Sequence, residues 1–199
     1  MVHKSFSSEL GDWLAKPGPK TIGELDTVFG QKSFAVLFLL LLFIPALPMP
    51  TGGLSHVTEA ISLLFAIEMM SGRRSLWIPG WLKQRSLGKA TVEKALPFIK
   101  KRLEWLEKHS RPRLSLIFDL WFVRSILGFV IFVFSFCAMI SLPFSGLDTL
   151  PALGVIIIAL SMILEDALLL LVGLLVGSVG MGLIIGSGAV LSAAFRHFF

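Results

Sequence analysis

Long apolar runs separated by short breaks dominate the pattern of hydrophobic and polar positions along this chain. They cover about residues 33–48, 54–71, 114–142, 152–164 and 167–195. At the rise of an α-helix, the first two runs extend roughly 24–27 Å each, close to the ~30 Å hydrocarbon core of a bilayer. The pattern predicts an all-α, polytopic helical membrane protein, in which these two runs form either two short spans or a re-entrant hairpin.

Two of the breaks resemble each other, because each places proline and then glycine before a second, short apolar run. With an offset of 93 positions, residues 49–54 align with 142–147, and residues 65–70 align with 158–163. The alignment predicts two repeated Pro/Gly-broken helical hairpins. Interrupted apolar segments in matching halves are typical of transport sites, whereas two plain turns outside the membrane are the alternative.

The breaks and the charge distribution divide the chain into five segments. Thr21 and Glu24 form a capping-box pattern, which predicts a short helix over about 21–32 within the first of them. The segments are an N-terminal arm (1–32), a first helical hairpin (33–71, repeat 1), a basic amphipathic segment (72–113), a second helical hairpin (114–166, repeat 2) and a Gly-rich C-terminal membrane helix (167–199).

Charge gives the expected orientation. The chain is 55% hydrophobic and 16% charged, with a net charge of +5, and twelve of its eighteen Lys and Arg residues lie within 72–113. The positive-inside rule therefore places this segment, and with it the N-terminal arm, in the cytoplasm. The same balance favours anionic lipids of the bilayer over nucleic acid as partners.

The basic segment contains one helical stripe of apolar residues at spacings of four, three, four and three. A helix with this stripe either lies on the inner leaflet, with lysines near anionic headgroups, or packs against the protein's own helices. The stripe consists of Val92, Leu96, Ile99, Leu103 and Leu106.

Three polar residues on the second apolar run are the candidates for an intramembrane polar site. His56 and Glu59 are three positions apart and so share a helix face, where they could relay protons or bind a cation. The alternative is that they lie at the wet end of a short helix. Glu68 is closer to the basic segment, and we expect it to pair with Arg73 or Arg74 at the membrane interface.

Two further features predict contacts between helices. Glu165 and Asp166 align by the repeat with Gly72 and Arg73, so an acidic turn facing Arg73 and Arg74 is expected to clasp the two repeats. The last apolar run has small residues four positions apart, which let helix backbones approach closely. These glycines, Gly173, Gly177, Gly182 and Gly186, predict either a homo-oligomer seam or tight packing within one bundle.

Enzymatic chemistry is not expected. The sequence has no phosphate-binding glycine loop, and its four histidines and one cysteine are scattered rather than clustered as metal ligands. We therefore predict no catalytic residues, no metal and no cofactor.

The stretch that begins at Gly72-Arg73-Arg74 and continues through Trp77-Ile78-Pro79-Gly80-Trp81 resembles the ExoD family of bacterial membrane proteins, linked to exopolysaccharide synthesis. The resemblance extends over about 25–195. It implies a multi-pass bacterial inner-membrane protein of exopolysaccharide synthesis or export, either transporter-like or a non-transporting scaffold that recruits cytoplasmic enzymes or anionic lipids. Trp77, Pro79 and Trp81 are expected to anchor the chain at the membrane interface.

Overall fold

A computed structural model describes residues 5–47, 53–73, 75–89, 91–110, 113, 115–141 and 145–198, without the side chains of 81, 82, 116, 119 and 190–198. Within these ranges the regular structure is helical, with β-structure limited to the isolated bridges Thr21–Ser86 and Arg113–Asp166. The α-helices are α1 (Phe6–Ala15), α2 (Ile22–Phe29), α3 (Ser33–Leu42), α4 (Leu54–Met70), α5 (Gly80–Lys83), α6 (Leu96–His109), α7 (Ser115–Asp119), α8 (Trp121–Ile140), α9 (Thr149–Leu164) and α10 (Ala167–Phe198).

Three helical stretches in the described part of the chain are long and apolar enough to cross a membrane. They are Ile22–Leu42, in which a 3-10 turn joins α2 to α3, Trp121–Ile140 and Ala167–Ala189. Helix α9 is apolar but shorter. These findings confirm the predicted all-α class, and they also confirm the helix predicted after Thr21, whose hydroxyl accepts a hydrogen bond from the backbone N–H of Glu24 at 3.2 Å.

The apolar helices form one bundle, in which α3 packs against α9 and α4 packs against α8. The start of α3 lies beside the end of α9, as shown by the hydrogen bond that Lys32 Nζ donates to the Ile163 carbonyl at 2.9 Å. The end of α4 meets the start of α8, where Gly72 lies beside Trp121 and Ser125. The segment 72–113 leaves the bundle at this same end, which we call the basic end, whereas the turns that precede α4 and α9 lie at the opposite end. Within this segment, Phe98 of α6 lies against Phe43, which directly follows α3.

Backbone conformations repeat at the same offset as the sequence. Gly53 (φ 90°) and Gly146 (φ 69°) are 93 positions apart and precede α4 and α9, respectively. Gly72 (φ 73°) and Glu165 (φ 55°) are also 93 positions apart and follow the same two helices. Left-handed backbone is uncommon for a residue with a side chain, so its use at Glu165 marks a turn that the surrounding structure imposes.

Helix α10 packs against α9 through glycine. A methyl group at Gly154 would lie 2.5 Å from Gly177 Cα and 3.1 Å from the Gly173 carbonyl, so the two backbones are in contact. Gly173 and Gly177 are thus used inside the chain, whereas a methyl group at Gly182 or Gly186 would meet no heavy atom within 4 Å. An oligomer seam at the second pair stays a prediction. The helix continues without folding back to Phe198.

Helices α4, α8 and α10 carry exposed apolar residues away from the bundle centre. On α4 the exposed residues follow one helical stripe, and on α10 they extend from Leu168 to Ile185. Large exposed apolar surfaces need a non-aqueous environment or a partner. The stripe on α4 consists of Leu54, Val57, Ile61, Leu64 and Ile67.

The apolar stripe of the basic segment faces the protein. Leu96, Ile99 and Leu103 are buried in the same core as Leu10 and Trp13, because α6 packs against α1. The sequence left two alternatives for this stripe, contact with the inner leaflet and packing against the protein's own helices. In the structure the stripe packs against the protein's own helices. Helix α1, which the sequence did not predict, is fixed at its first turn by Glu107, whose carboxylate accepts from the backbone N–H and the hydroxyl of Ser7.

Candidate functional site

The candidate site lies on α4, toward the end of the bundle opposite the basic end. His56 Nδ1 lies 3.1 Å from Glu59 Oε2. The Glu59 side chain is 0% exposed, whereas the His56 side chain is 30% exposed. The second oxygen of Glu59, Oε1, is buried and has no hydrogen-bond partner among the described residues. The carboxyl group therefore has one oxygen held by histidine and one available to a proton or a cation.

Residues from two other elements lie near Glu59. One turn along α4, Ser62 donates to the Glu59 backbone carbonyl and to Ser135 Oγ on α8, both at 2.9 Å. Asp148, the residue that precedes α9, is close enough for its charge to act on Glu59. Since like charges disfavour each other, Asp148 disfavours a negative charge on Glu59.

Glu68 is not part of this cluster. It lies near the end of α4, where its carboxylate accepts a hydrogen bond from the backbone N–H of Trp77 and lies 4.0 Å from Arg73 Nη1. The structure therefore brings His56 and Glu59 together and separates Glu68 from them. Glu68 lies at the basic end, near Arg73, one of the two arginines that the sequence predicted as its partner.

The acidic turn after α9 makes the following contacts with the described residues. Glu165 pairs with Lys32 at 3.0 Å, and Arg73 has Glu68 as its acidic neighbour. Asp166 accepts from Ser110 Oγ at 2.7 Å and from the backbone N–H of Leu168 at 2.9 Å. Arg74 lies outside the described residues, so a contact of this turn with Arg74 stays a prediction.

The predicted anchor segment lies outside the helices, at the basic end. Leu76 and Ile78 are buried, whereas Trp77 between them is exposed and Pro79 is half-buried. The alternation of buried and exposed side chains turns one indole outward. Trp121, the first residue of α8, is also exposed. Exposed indoles at one end of an apolar bundle suit a headgroup interface. The side chain of Trp81 is outside the described part.

Sequence reasoning missed Ser135 and Asp148. Both lie more than 70 positions from Glu59 along the chain, and neither is at a spacing that signals a shared site. The repeat alone left open whether α4 and α9 start at the same end, because repeats can be inverted or parallel. In the described ranges, no three His, Cys, Asp or Glu side chains come together as metal ligands.

An all-α bundle with three helical stretches of membrane-spanning length is typical of polytopic membrane proteins. The chain belongs to the ExoD family, described as exopolysaccharide synthesis, whose profile matches residues 6–186. An uncharacterized protein of Synechocystis sp. is 28% identical over 171 residues, which are 82% of this chain and 78% of that protein. No solved structure matches the chain.

Proposed function

We propose that this chain is a transporter-like protein of the bacterial inner membrane that serves exopolysaccharide synthesis or export, with His56 and Glu59 as its proton-accepting site. The single observation that carries the proposal is the fully buried Glu59 carboxyl group, one oxygen of which has no partner among the described residues. An ionised carboxylate with an unpaired oxygen is costly in a low-dielectric interior. A buried carboxyl group that served only to stabilise the fold would be expected to have hydrogen-bond partners for both of its oxygens.

We further propose that the two hairpins are parallel repeats related by a two-fold axis along the bundle. The reciprocal pairing of α3 with α9 and of α4 with α8 supports this symmetry. So does a hydrogen bond at the basic end, where Arg124 Nη2 donates to Gln31 Oε1 at 2.9 Å. These two residues are themselves 93 positions apart, and contacts between equivalent positions are those that lie on a two-fold axis.

In this arrangement both hairpins start and end in the cytoplasm, and the turns before α4 and α9 face outward. The basic segment leaves the bundle at the cytoplasmic end, as the positive-inside rule requires. The site at His56 and Glu59 is then nearer the outer face, and Phe198 lies on the outer side of the membrane. Inverted repeats would place the two turns on opposite sides instead.

Cysteine accessibility distinguishes the two arrangements. In a Cys137→Ser background, single cysteines at Leu54 and Leu147 probe the two turns, and one at Lys89 probes the basic segment. We expect a membrane-impermeant maleimide to label the first two in intact cells and the third only after lysis. Labelling of one turn but not the other before lysis would contradict parallel repeats.

Proton flux tests the site. In proteoliposomes with an imposed pH gradient and an internal pH-sensitive dye, we expect the wild type to admit protons faster than protein-free vesicles. Glu59→Gln keeps the size of the side chain but removes the titratable group, so flux should fall to the protein-free level. His56→Gln should lower the flux as well, because it removes the partner of that carboxyl group.

Glu68→Gln is the matched control, since it is the same change on the same helix. A glutamine oxygen can still accept the hydrogen bond from Trp77, so flux should stay near the wild-type value. A wild-type rate equal to that of protein-free vesicles, or a Glu59→Gln rate equal to wild type, would contradict proton transfer at this site.

A further inference from the structure

The outward face of α6 has a composition different from that of its buried face. Phe98 is 48% exposed and Trp105 is 59% exposed, although both are large and apolar. They are seven positions apart and so lie on the same side of the helix. Arg102 lies between them, with its guanidinium carbon 5.2 Å from the centroid of the Phe98 ring. Further cations flank this face, at Lys94, Lys101 and Lys108.

Beside Phe98 there is an apolar cleft between α6 and the end of α3. It has a volume of about 350 Å³, within the range of roughly 300–1,000 Å³ that encloses small ligands. Leu40, Phe43 and Ile44 of the α3 end form one wall, and Ala95 and Phe98 form the other. The rings of Phe43 and Phe98 are 5.7 Å apart. Lys94 lines the cleft and is itself exposed.

We propose that this cleft binds an anionic phospholipid, with an acyl chain between the α3 end and α6 and the headgroup between Lys94 and Arg102. Charge complementarity and the apolar lining together select this ligand. An acidic protein segment would meet the cations but would leave the apolar walls without a hydrocarbon partner. A zwitterionic lipid would fill the cleft but gain less from the two cations. The proposal does not rest on transport.

Lipid binding to the purified protein tests this proposal. In mild detergent, native mass spectrometry can compare phosphatidylglycerol with phosphatidylcholine of the same chains. Each cation near an anionic headgroup contributes a factor of about five, so we expect phosphatidylglycerol to bind about 25-fold more tightly. Lys94→Gln with Arg102→Gln should remove most of that preference. Inorganic phosphate should not compete, because it lacks the chain.

Two further variants separate the headgroup from the chain. Lys16→Gln with Lys83→Gln removes the same charge from exposed positions outside the cleft, and it should keep the preference. Ala95→Phe fills the cleft and should weaken both lipids, provided that its thermal unfolding matches the wild type. Equal binding of the two lipids, an equal loss in both double variants, or undiminished binding to folded Ala95→Phe would each overturn the proposal. None of these outcomes bears on proton flux.

Discussion

Gly154→Val is expected to separate α9 from α10 and to destabilise the protein by about 3 kcal/mol or more, a lowering of Tm by about 10 °C. The Cβ atom alone would lie 2.5 Å from Gly177 Cα and 2.7 Å from Gly177 N. These are backbone atoms, so no rotamer change can make room for the new side chain. The helices have to move apart, and α10 loses its main contact with the rest of the bundle.

Gly182→Val is the matched control on α10. A Cβ atom there meets nothing within 4 Å, and valine is a slightly better helix residue than glycine. We expect an unchanged or slightly higher Tm for this variant in detergent. If Gly154→Val unfolded at the same temperature as Gly182→Val, the close contact between α9 and α10 would be wrong.

The glycine pattern illustrates how far the sequence predicts packing. Spacing alone predicted close helix contacts, and Gly173 with Gly177 makes one. The partner, Gly154, lies about 20 positions earlier on another helix, and nothing in a four-residue spacing identifies the surface that it will meet. For that reason the sequence left both an oligomer seam and packing within the bundle open, and only the tertiary arrangement distinguishes them.

Helix α6 shows a related limit. Its apolar stripe predicted an amphipathic helix, and the structure has one in α6, with Pro97 in its first turn. The stripe is covered by α1, a short helix that is itself buried by this contact. Short helices depend on tertiary packing for stability, so neither the α1 helix nor the surface that covers α6 could be inferred from its own segment alone. The exposed Phe98 and Trp105 on the other side of α6 were not predicted from the sequence.

The candidate site was only partly predictable, because some of its contacts join elements that are distant in the sequence. His56 and Glu59 share one helix, so their three-residue spacing was enough to predict their contact. Ser135 and Asp148 reach the site through the packing of α4 against α8 and the position of the α9 start. Local pattern carries no information about such contacts unless the repeat itself is used as a tertiary restraint.

The acidic turn between α9 and α10 was predicted as one unit, but its two residues make different contacts. Glu165 adopts left-handed backbone and forms an ion pair with Lys32, in which both side chains are one-third exposed. Asp166 is 3% exposed. It is the N-cap of α10 through the Leu168 N–H, and it also accepts from the hydroxyl of Ser110. It therefore joins the basic segment to the longest helix.

Asp166→Ala is accordingly expected to lower the free energy of unfolding by about 3 kcal/mol. Loss of an N-cap side chain costs about 1 kcal/mol, and loss of a hydrogen bond to a charged group costs about 1.5–3 kcal/mol. Glu165→Ala removes the same charge from the neighbouring position, but partly exposed ion pairs contribute about 0–1 kcal/mol. Thermal unfolding in detergent, followed by circular dichroism, measures both variants under one condition.

The loss at Ser110 relative to that at Asp166 is the informative result, because a clasp made only of charge would not respond to the removal of a hydroxyl group. Ser110→Ala should reproduce about half of the loss at Asp166, since that variant keeps the N-cap and removes only the hydrogen bond from Ser110. An unchanged stability of Ser110→Ala would favour an electrostatic clasp with the arginines after α4. A loss at Ser110 of the expected size supports a turn held by directed hydrogen bonds, which fix where α10 starts and therefore where it crosses the bundle.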